Sequence, residues 1–198
     1  MKKMFFAAIA VVGFSAVGMA QQQVKFGPKA GVNFANLSGA DNAEMLTGFH
    51  VGAVAEIKFN DKFSVQPEVV YSAQGVKHKG SGEGKQHNDY INVPIMAKYY
   101  IVDGFSVEAG PQVGFLMKSE AKGGNATVDT KDFYKSVDFG LGLGLAYDLP
   151  MGFFVNARYN LGLSKANEDF KSEIGGVTIE TKDLKNNVIQ VGVGYKFD

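Results

Sequence analysis

Hydrophobic residues alternate strictly with small or polar residues over residues 189–197, near the C-terminal end of the chain. One parity is apolar or aromatic and comprises Ile189, Val191, Val193, Tyr195 and Phe197. The other is small or polar and comprises Gln190, Gly192, Gly194 and Lys196. Successive strand side chains point to opposite faces, so this segment is predicted to be a β-strand with one apolar face. Glycines on a solvated face would cost backbone entropy and pack nothing, whereas inside a narrow barrel they leave room. The apolar face is therefore predicted to point outward, into a membrane.

The same alternation recurs in seven earlier segments, which gives eight predicted strands in all. These segments are residues 24–35, 48–59, 63–76, 90–101, 105–117, 137–149 and 153–163. The most regular of them is 137–149, where aromatic and aliphatic residues alternate with glycine, alanine and two aspartates. The pattern predicts an all-β fold, an eight-stranded antiparallel up-and-down transmembrane β-barrel.

The connections between these strands alternate in length. Three are tight turns, at residues 60–62, 102–104 and 150–152. Four are long and polar, at residues 36–47, 77–89, 118–136 and 164–187. Short turns on one rim and long loops on the other are typical of bacterial outer-membrane barrels, with the short side in the periplasm. Aromatic residues near both strand ends form two girdles that fit a bilayer: Phe49 and Phe59 are separated by about 26 Å along the barrel axis, close to the ~25 Å apolar band.

Four prolines lie inside the predicted strands, at Pro28, Pro67, Pro94 and Pro111. Each of them lacks the N–H group that a strand donates to its neighbour, and a closed barrel has no free edge at which to place them. We therefore expect β-bulges or local irregularities at these positions.

The N-terminus has the features of a secretory signal peptide. Lys2 and Lys3 precede an apolar run at residues 4–17, and small residues lead up to Ala20. This run is shorter than the ~20 residues of a spanning helix, so we expect export and cleavage after Ala20. Residues 1–20 are thus predicted to be the signal peptide, and residues 21–198 to be one outer-membrane β-barrel domain.

Composition narrows the range of functions. Without the two lysines of the signal peptide, 18 basic and 20 acidic residues remain, a balance that argues against nucleic acid as a partner. The absence of cysteine excludes disulfides and thiol chemistry. No later segment is apolar enough for a spanning helix, so an integral membrane protein of this sequence has to be a closed barrel.

Several motifs resemble the PorT-type outer-membrane β-barrel family. They are GPKAGVN at 27–33, QPE at 66–68, YSAQG at 71–75, VP at 93–94, KY at 98–99, AGP at 109–111, RYNLG at 158–162 and GYKF at 194–197. This resemblance covers nearly all of the mature chain and implies a small, porin-like protein of the Gram-negative cell envelope, without an assigned activity in most members. It also implies that outer-membrane lipid surrounds the wall and that the barrel-assembly machinery recognises the C-terminal strand. Asp198, which follows the terminal aromatic residue, departs from the ideal form of that strand.

Charged residues of both signs recur at inward positions, four to six residues from the short-turn end of most strands. The set consists of Lys29, Glu56, Glu68, Lys98, Glu108 and Arg158. Because buried charge is costly unless it is paired, three bases and three acids suggest an ion-pair network that fills the lumen. The alternative is the charged constriction of a narrow, porin-like channel for ions or small solutes. The interior of an eight-stranded barrel is only wide enough for side chains, which favours the structural network.

Enzymatic and ligand-binding functions receive little support. A hydrolase working at the lipid face needs a Ser/His pair there, and the outward positions contain neither residue. A lipid-acyl transferase or a soluble lipid carrier needs an apolar interior, whereas this interior is predicted to be charged and glycine-lined. His78 and His87, in a lysine-rich loop, are a weak signal for a metal or an anionic sugar. We therefore predict a non-enzymatic protein with no catalytic residue, no cofactor and no metal, whose long loops serve envelope structure or surface interaction.

Overall fold

The computed structural model describes residues 23–39, 43–78, 84–123, 126–168, 171–174, 177–180 and 183–197. The predicted signal peptide lies outside the described residues. The long strands are β1 (Gln23–Ser38), β2 (Ala43–Asn60), β3 (Phe63–His78), β4 (Gly84–Val102), β5 (Phe105–Gly123), β7 (Val137–Asp148), β8 (Phe153–Gly162) and β11 (Lys185–Tyr195). Between them lie the short strands β6 (Ala126–Asp129), β9 (Lys171–Ile174) and β10 (Val177–Glu180) and a 3-10 helix (Lys131–Phe133). Within the described ranges, no helix has the length and hydropathy needed to cross a membrane.

The eight long strands form a closed antiparallel barrel, which confirms the predicted fold. Each pairs with its neighbour in chain order, and β11 pairs with β1 to close the wall. The register of the strands is staggered. If the residue opposite Gln23 is traced from strand to strand around the wall, the trace returns to β1 at Asn33, ten residues further on. A stagger of this size tilts the strands by about 40° from the barrel axis.

The two faces of the wall are divided as the alternation predicts. On β2, for example, Phe49 is 53% exposed and faces outward, whereas its neighbour His50 is 1% exposed and faces the lumen. Phe, Leu, Val and Tyr side chains cover the outer face of every barrel strand, and polar, charged and glycine residues occupy most of the inner face. Such an outer face is suited to contact with lipid rather than with water.

The strands are longer than predicted on the side of the long connections. β2 begins at Ala43, β4 begins at Gly84 and β5 continues to Gly123, so much of what was predicted as loop is paired strand. Register shifts between Met45 and His50 and between Asp89 and Tyr90 mark the start of these extensions. These strand extensions form a collar above the membrane-spanning part of the wall.

The four prolines interrupt the ladder without shifting its register. Pairing with one neighbour is missing next to Pro28, Pro67, Pro94 and Pro111 and resumes in the same register beyond each of them. Of the two expected outcomes, bulges or local irregularity, the structure has local irregularity at these prolines without a register shift. Losing one donor removes a pair of ladder contacts, and the continuous pleat on both sides keeps each strand in register.

Candidate functional site

Four charged side chains meet in the middle of the lumen. Arg158 of β8 donates to both carboxylate oxygens of Glu68 of β3, at 2.7 Å from Nη2 and 3.1 Å from Nη1. Its Nε donates to Glu108 of β5 at 2.7 Å, and Lys29 of β1 lies 3.2 Å from Glu68. The four side chains are buried and carry no net charge as a group. We call Lys29, Glu68, Glu108 and Arg158 the central cluster.

The other two predicted residues belong to a second cluster, nearer the short turns. Glu56 of β2 lies 3.4 Å from Lys98 of β4 and accepts a hydrogen bond from Lys196, at 2.5 Å. Lys196 also bonds Asp148 of β7, at 2.8 Å. The hydroxyl of Tyr100 donates to Glu56 at 2.5 Å and lies 2.7 Å from Asp148. We call Glu56, Lys98, Tyr100, Asp148 and Lys196 the lower cluster.

Lys196, Asp148 and Tyr100 were not among the residues predicted from the sequence. Asp148 is the last residue of β7, and Lys196 follows the last residue of β11. Counting a fixed number of residues from each turn overlooks them, because the tilt of the strands shifts the height of equivalent positions around the barrel. Inward parity alone would have identified both Lys196 and Tyr100.

Full pairing is what makes these charges tolerable. A buried ion costs several kcal/mol in lost hydration unless a partner and further hydrogen bonds compensate for it. The two carboxylate oxygens of Glu68 contact Arg158 and Lys29, and they also accept a hydrogen bond from the side-chain amide of Gln66 at 2.8 Å. The two clusters join seven of the eight barrel strands across the lumen, which ties the wall together at two levels.

The other end of the lumen is closed by apolar side chains, which corrects the expectation of a charged and glycine-lined interior. The inward residues there are Leu37, Leu46, Val76, Tyr90, Leu116 and Val188, all at most 6% exposed. They come from β1 to β5 and from β11, and some lie in segments predicted as loops. This packed cap lies between the polar interior and the long connections.

At several heights of the lumen, buried polar atoms make no hydrogen bond with another described residue. They are His50 Nε2, both side-chain ends of Asn156, Asn160 Oδ1, Asn88 Nδ2, Ser106 Oγ and Glu108 Oε2. A Cβ atom on Gly192 would lie 2.9 Å from both His50 Nε2 and Asn156 Oδ1, so these two atoms lie close to each other over this glycine. Buried polar atoms of this kind commonly bind internal water.

The predicted loop histidines do not form a metal site in the described part of the chain. No group of three or more His, Cys, Asp or Glu side chains there has a geometry suited to a metal ion. His87 lies on β4, opposite Glu120 of β5, and the side chain of His78 is outside the described residues.

Comparison with known proteins agrees with the barrel. The model of a family described as "Outer membrane protein beta-barrel domain" matches residues 19–168. The crystal structure of Neisserial surface protein A superimposes with a TM-score of 0.57 at 17% identity, over 88% of this chain and 99% of that one. A major outer membrane protein from Thermus thermophilus superimposes with a TM-score of 0.51 at 14% identity, over 88% of this chain and 100% of that one. No curated protein sequence matches the chain.

Proposed function

This chain belongs to the outer membrane protein β-barrel domain family, and from this premise we propose that it is a non-enzymatic envelope protein with a filled lumen. The protein is integral to the outer membrane. Its proposed roles are to stabilise the envelope and to present the long connections, with the collar beneath them, for interaction at the cell surface. At a finer level, we propose that it is a PorT-type barrel of a Gram-negative bacterium. We also propose that it is exported by a signal peptide cleaved after Ala20 and that its C-terminal strand engages the barrel-assembly machinery.

The observation that carries this proposal is the double closure of the lumen. The central cluster joins β1, β3, β5 and β8 through contacts of 2.7–3.2 Å, and the apolar cap fills the opposite end. A hydrated pore keeps its charges separated and bathed in water, whereas these charges are paired and buried. The arrangement is suited to a scaffold rather than to a conduit.

A narrow channel for ions or small solutes is the second candidate. The observation that favours it is the set of unpaired polar atoms on both sides of the central cluster, from Ser106 to Asn160. If water binds at these atoms, the lumen holds short hydrated stretches separated by the central cluster. A rearrangement of Arg158 would join them.

Single-channel recording of the refolded protein in planar bilayers distinguishes these two candidates. A filled lumen predicts very low conductance for the unmodified protein, and higher conductance for Arg158→Met, which loosens the central cluster. Lys62→Gln, a substitution of an exposed residue on the short-turn rim, serves as the control and should leave conductance unchanged. Steady conductance of the unmodified protein, with a change only in ion selectivity on substitution, would instead establish the channel.

A further inference from the structure

Three lysines lie side by side on the outer face of the collar. Lys77 of β3 is directly opposite Lys85 of β4, and Lys85 is directly opposite Lys122 of β5. Val76, next to Lys77, is buried inside, so the three lysines occupy the outward parity of the wall. Glu44 of β2, directly opposite Lys77, ends the row with one carboxylate beside three ammonium groups. We call Lys77, Lys85 and Lys122 the lysine row.

The lysine row is unfavourable for the isolated protein. Like charges directly opposite each other on neighbouring strands destabilise a sheet. Lys85 forms no salt bridge with any described residue, and Lys122 reaches Glu120 only at 3.9 Å. On the same strand, by contrast, Lys118 is paired with Glu120 at 2.8 Å. An anion from outside the chain would relieve the repulsion.

The height of the row indicates where that anion comes from. Lys77 is six residues beyond Tyr71, and Lys85 is six residues beyond Ile91, the last large apolar residues on the outer faces of these strands. On β4, the outward residues between Ile91 and Lys85 are Asp89 and His87. At ~3.4 Å per residue and a tilt of ~40°, the row lies about 15 Å outside the apolar band. A phospholipid headgroup layer is only about 5–8 Å thick, so the row extends past it.

His87 lies beside the row on the outer face of β4, between the carboxylates of Asp89 and Glu120 and the lysines of the row. This histidine lies two residues from Lys85 and, like the row, outside the apolar band. Burial and the neighbouring charge of Lys122 lower its pKa, despite the opposing effect of Asp89 and Glu120. His87 is therefore neutral near pH 7, and the lysines supply the positive charge of the row.

We propose that the lysine row binds the phosphate groups of a phosphorylated glycolipid headgroup in the outer leaflet. Sugars extend the headgroup of such a lipid past the phospholipid layer, to the height at which the row lies. Ammonium groups on neighbouring strands, about 5 Å apart at the backbone, can share one phosphate or grip two. The bound lipid would hold the collar against the membrane surface.

The test compares unfolding of the full-length protein in nanodiscs of two compositions. One contains phosphatidylcholine alone, and the other adds lipopolysaccharide with phosphorylated core sugars. In phosphatidylcholine, Lys85→Gln and Lys122→Gln should raise the unfolding temperature or leave it unchanged, because they remove repulsion. With the glycolipid, the same substitutions should lower it relative to the unmodified protein. Each lysine removed should weaken glycolipid binding, measured by native mass spectrometry, about fivefold.

Lys62→Gln, on the opposite rim, is the matched control and should not change glycolipid binding. Three results would overturn the proposal. The first is the same ranking of unfolding temperatures in both compositions. The second is equal binding of a dephosphorylated glycolipid. The third is displacement of the glycolipid by millimolar inorganic phosphate, which would identify a site for small free anions.

Discussion

At the scale of single residues, Arg158 is the centre of the lumen. Its guanidinium group contacts Glu68 at both oxygens and Glu108 at one, and Lys29 completes the neutral set of four charges. The planar fork of arginine matches carboxylate geometry in a way that lysine does not. Among the charged residues of the lumen, we therefore expect loss of the Arg158–Glu68 pair to lower the stability of the barrel most.

Arg158→Met keeps an apolar stem in place but leaves Lys29 as the one cation of the central cluster beside the carboxylates of Glu68 and Glu108. Breaking a buried pair in this way costs about 3–5 kcal/mol of unfolding free energy. Glu68→Gln should destabilise the barrel similarly, and the double variant should lose less than the sum of the two. Urea unfolding in lipid vesicles measures all three. Lys118→Gln breaks an exposed ion pair and is the control, for which we expect little change. Additive losses would mean that Arg158 and Glu68 do not interact in solution.

The sequence predicted the face on which these residues lie, but only part of their grouping. Strict alternation placed Lys29, Glu68 and Arg158 inside the barrel, because a strand has only two faces. It did not show that Lys196 belongs with Glu56, since that pairing depends on the stagger of the strands around the wall. Leu37 and Leu46 fall in a segment that the sequence predicts to be a loop. The polar residues around them interrupt the apolar alternation, and such an interruption resembles the end of a strand.

At the scale of elements, glycines allow neighbouring strands to approach each other and side chains to cross the lumen. A Cβ atom on Gly194 of β11 would meet the ring of Phe154 and the carbonyl oxygen of Pro28, the latter at 2.6 Å. A Cβ atom on Gly123, at the end of β5, would have nothing described within 4 Å. The two glycines therefore differ in what they contribute, although both lie in strands.

Gly194→Ala should destabilise the barrel by about 1–3 kcal/mol, because the added methyl group overpacks the closing seam. Gly123→Ala should be neutral or slightly stabilising, since it restricts only the unfolded chain. Heat-dependent gel mobility of the two refolded variants compares them directly. Equal unfolding temperatures would show that the seam between β11 and β1 can yield to an extra methyl group.

The outer face of β7 gives a second prediction at this scale. Leu143 lies near the middle of the apolar band and is 49% exposed in the absence of lipid. Leu143→Arg should cost about 2–4 kcal/mol in a bilayer, whereas Leu149→Arg, beside the short turn, should cost about 0–1 kcal/mol. Refolding into vesicles at graded urea concentrations measures both. The inside–outside assignment of β7 would be wrong if the two variants were equally stable.

At the scale of the whole molecule, the barrel has one short rim and one tall rim. The tall rim carries the collar, the cap and the short strand β6, and the rule for outer-membrane barrels places it outside the cell. Each of the two charged clusters in the lumen is electrically neutral as a group. The charge that a partner meets is that of the rims.

This orientation predicts a labelling pattern on intact cells. Thr127→Cys lies on the exposed strand β6 and should react with a membrane-impermeant maleimide. Asp103→Cys lies in an exposed short turn and should react only after the cells are permeabilised. The chain has no cysteine of its own, so the unmodified protein serves as a blank. Reaction of the turn site alone would invert the orientation.

The contacts across the lumen join residues far apart in the chain: Glu68 and Arg158 are 90 positions apart, and Glu56 and Lys196 are 140 positions apart. None of these pairs can form while the chain is still extended, because the partners meet only when the cylinder has closed. Before the chain inserts into the outer membrane, the polar residues of its strand segments are therefore hydrated. They alternate with the apolar residues and interrupt long apolar runs. The side chains that pair inside the folded barrel therefore also keep the unfolded chain soluble, and they exchange water for each other when the barrel closes in the membrane.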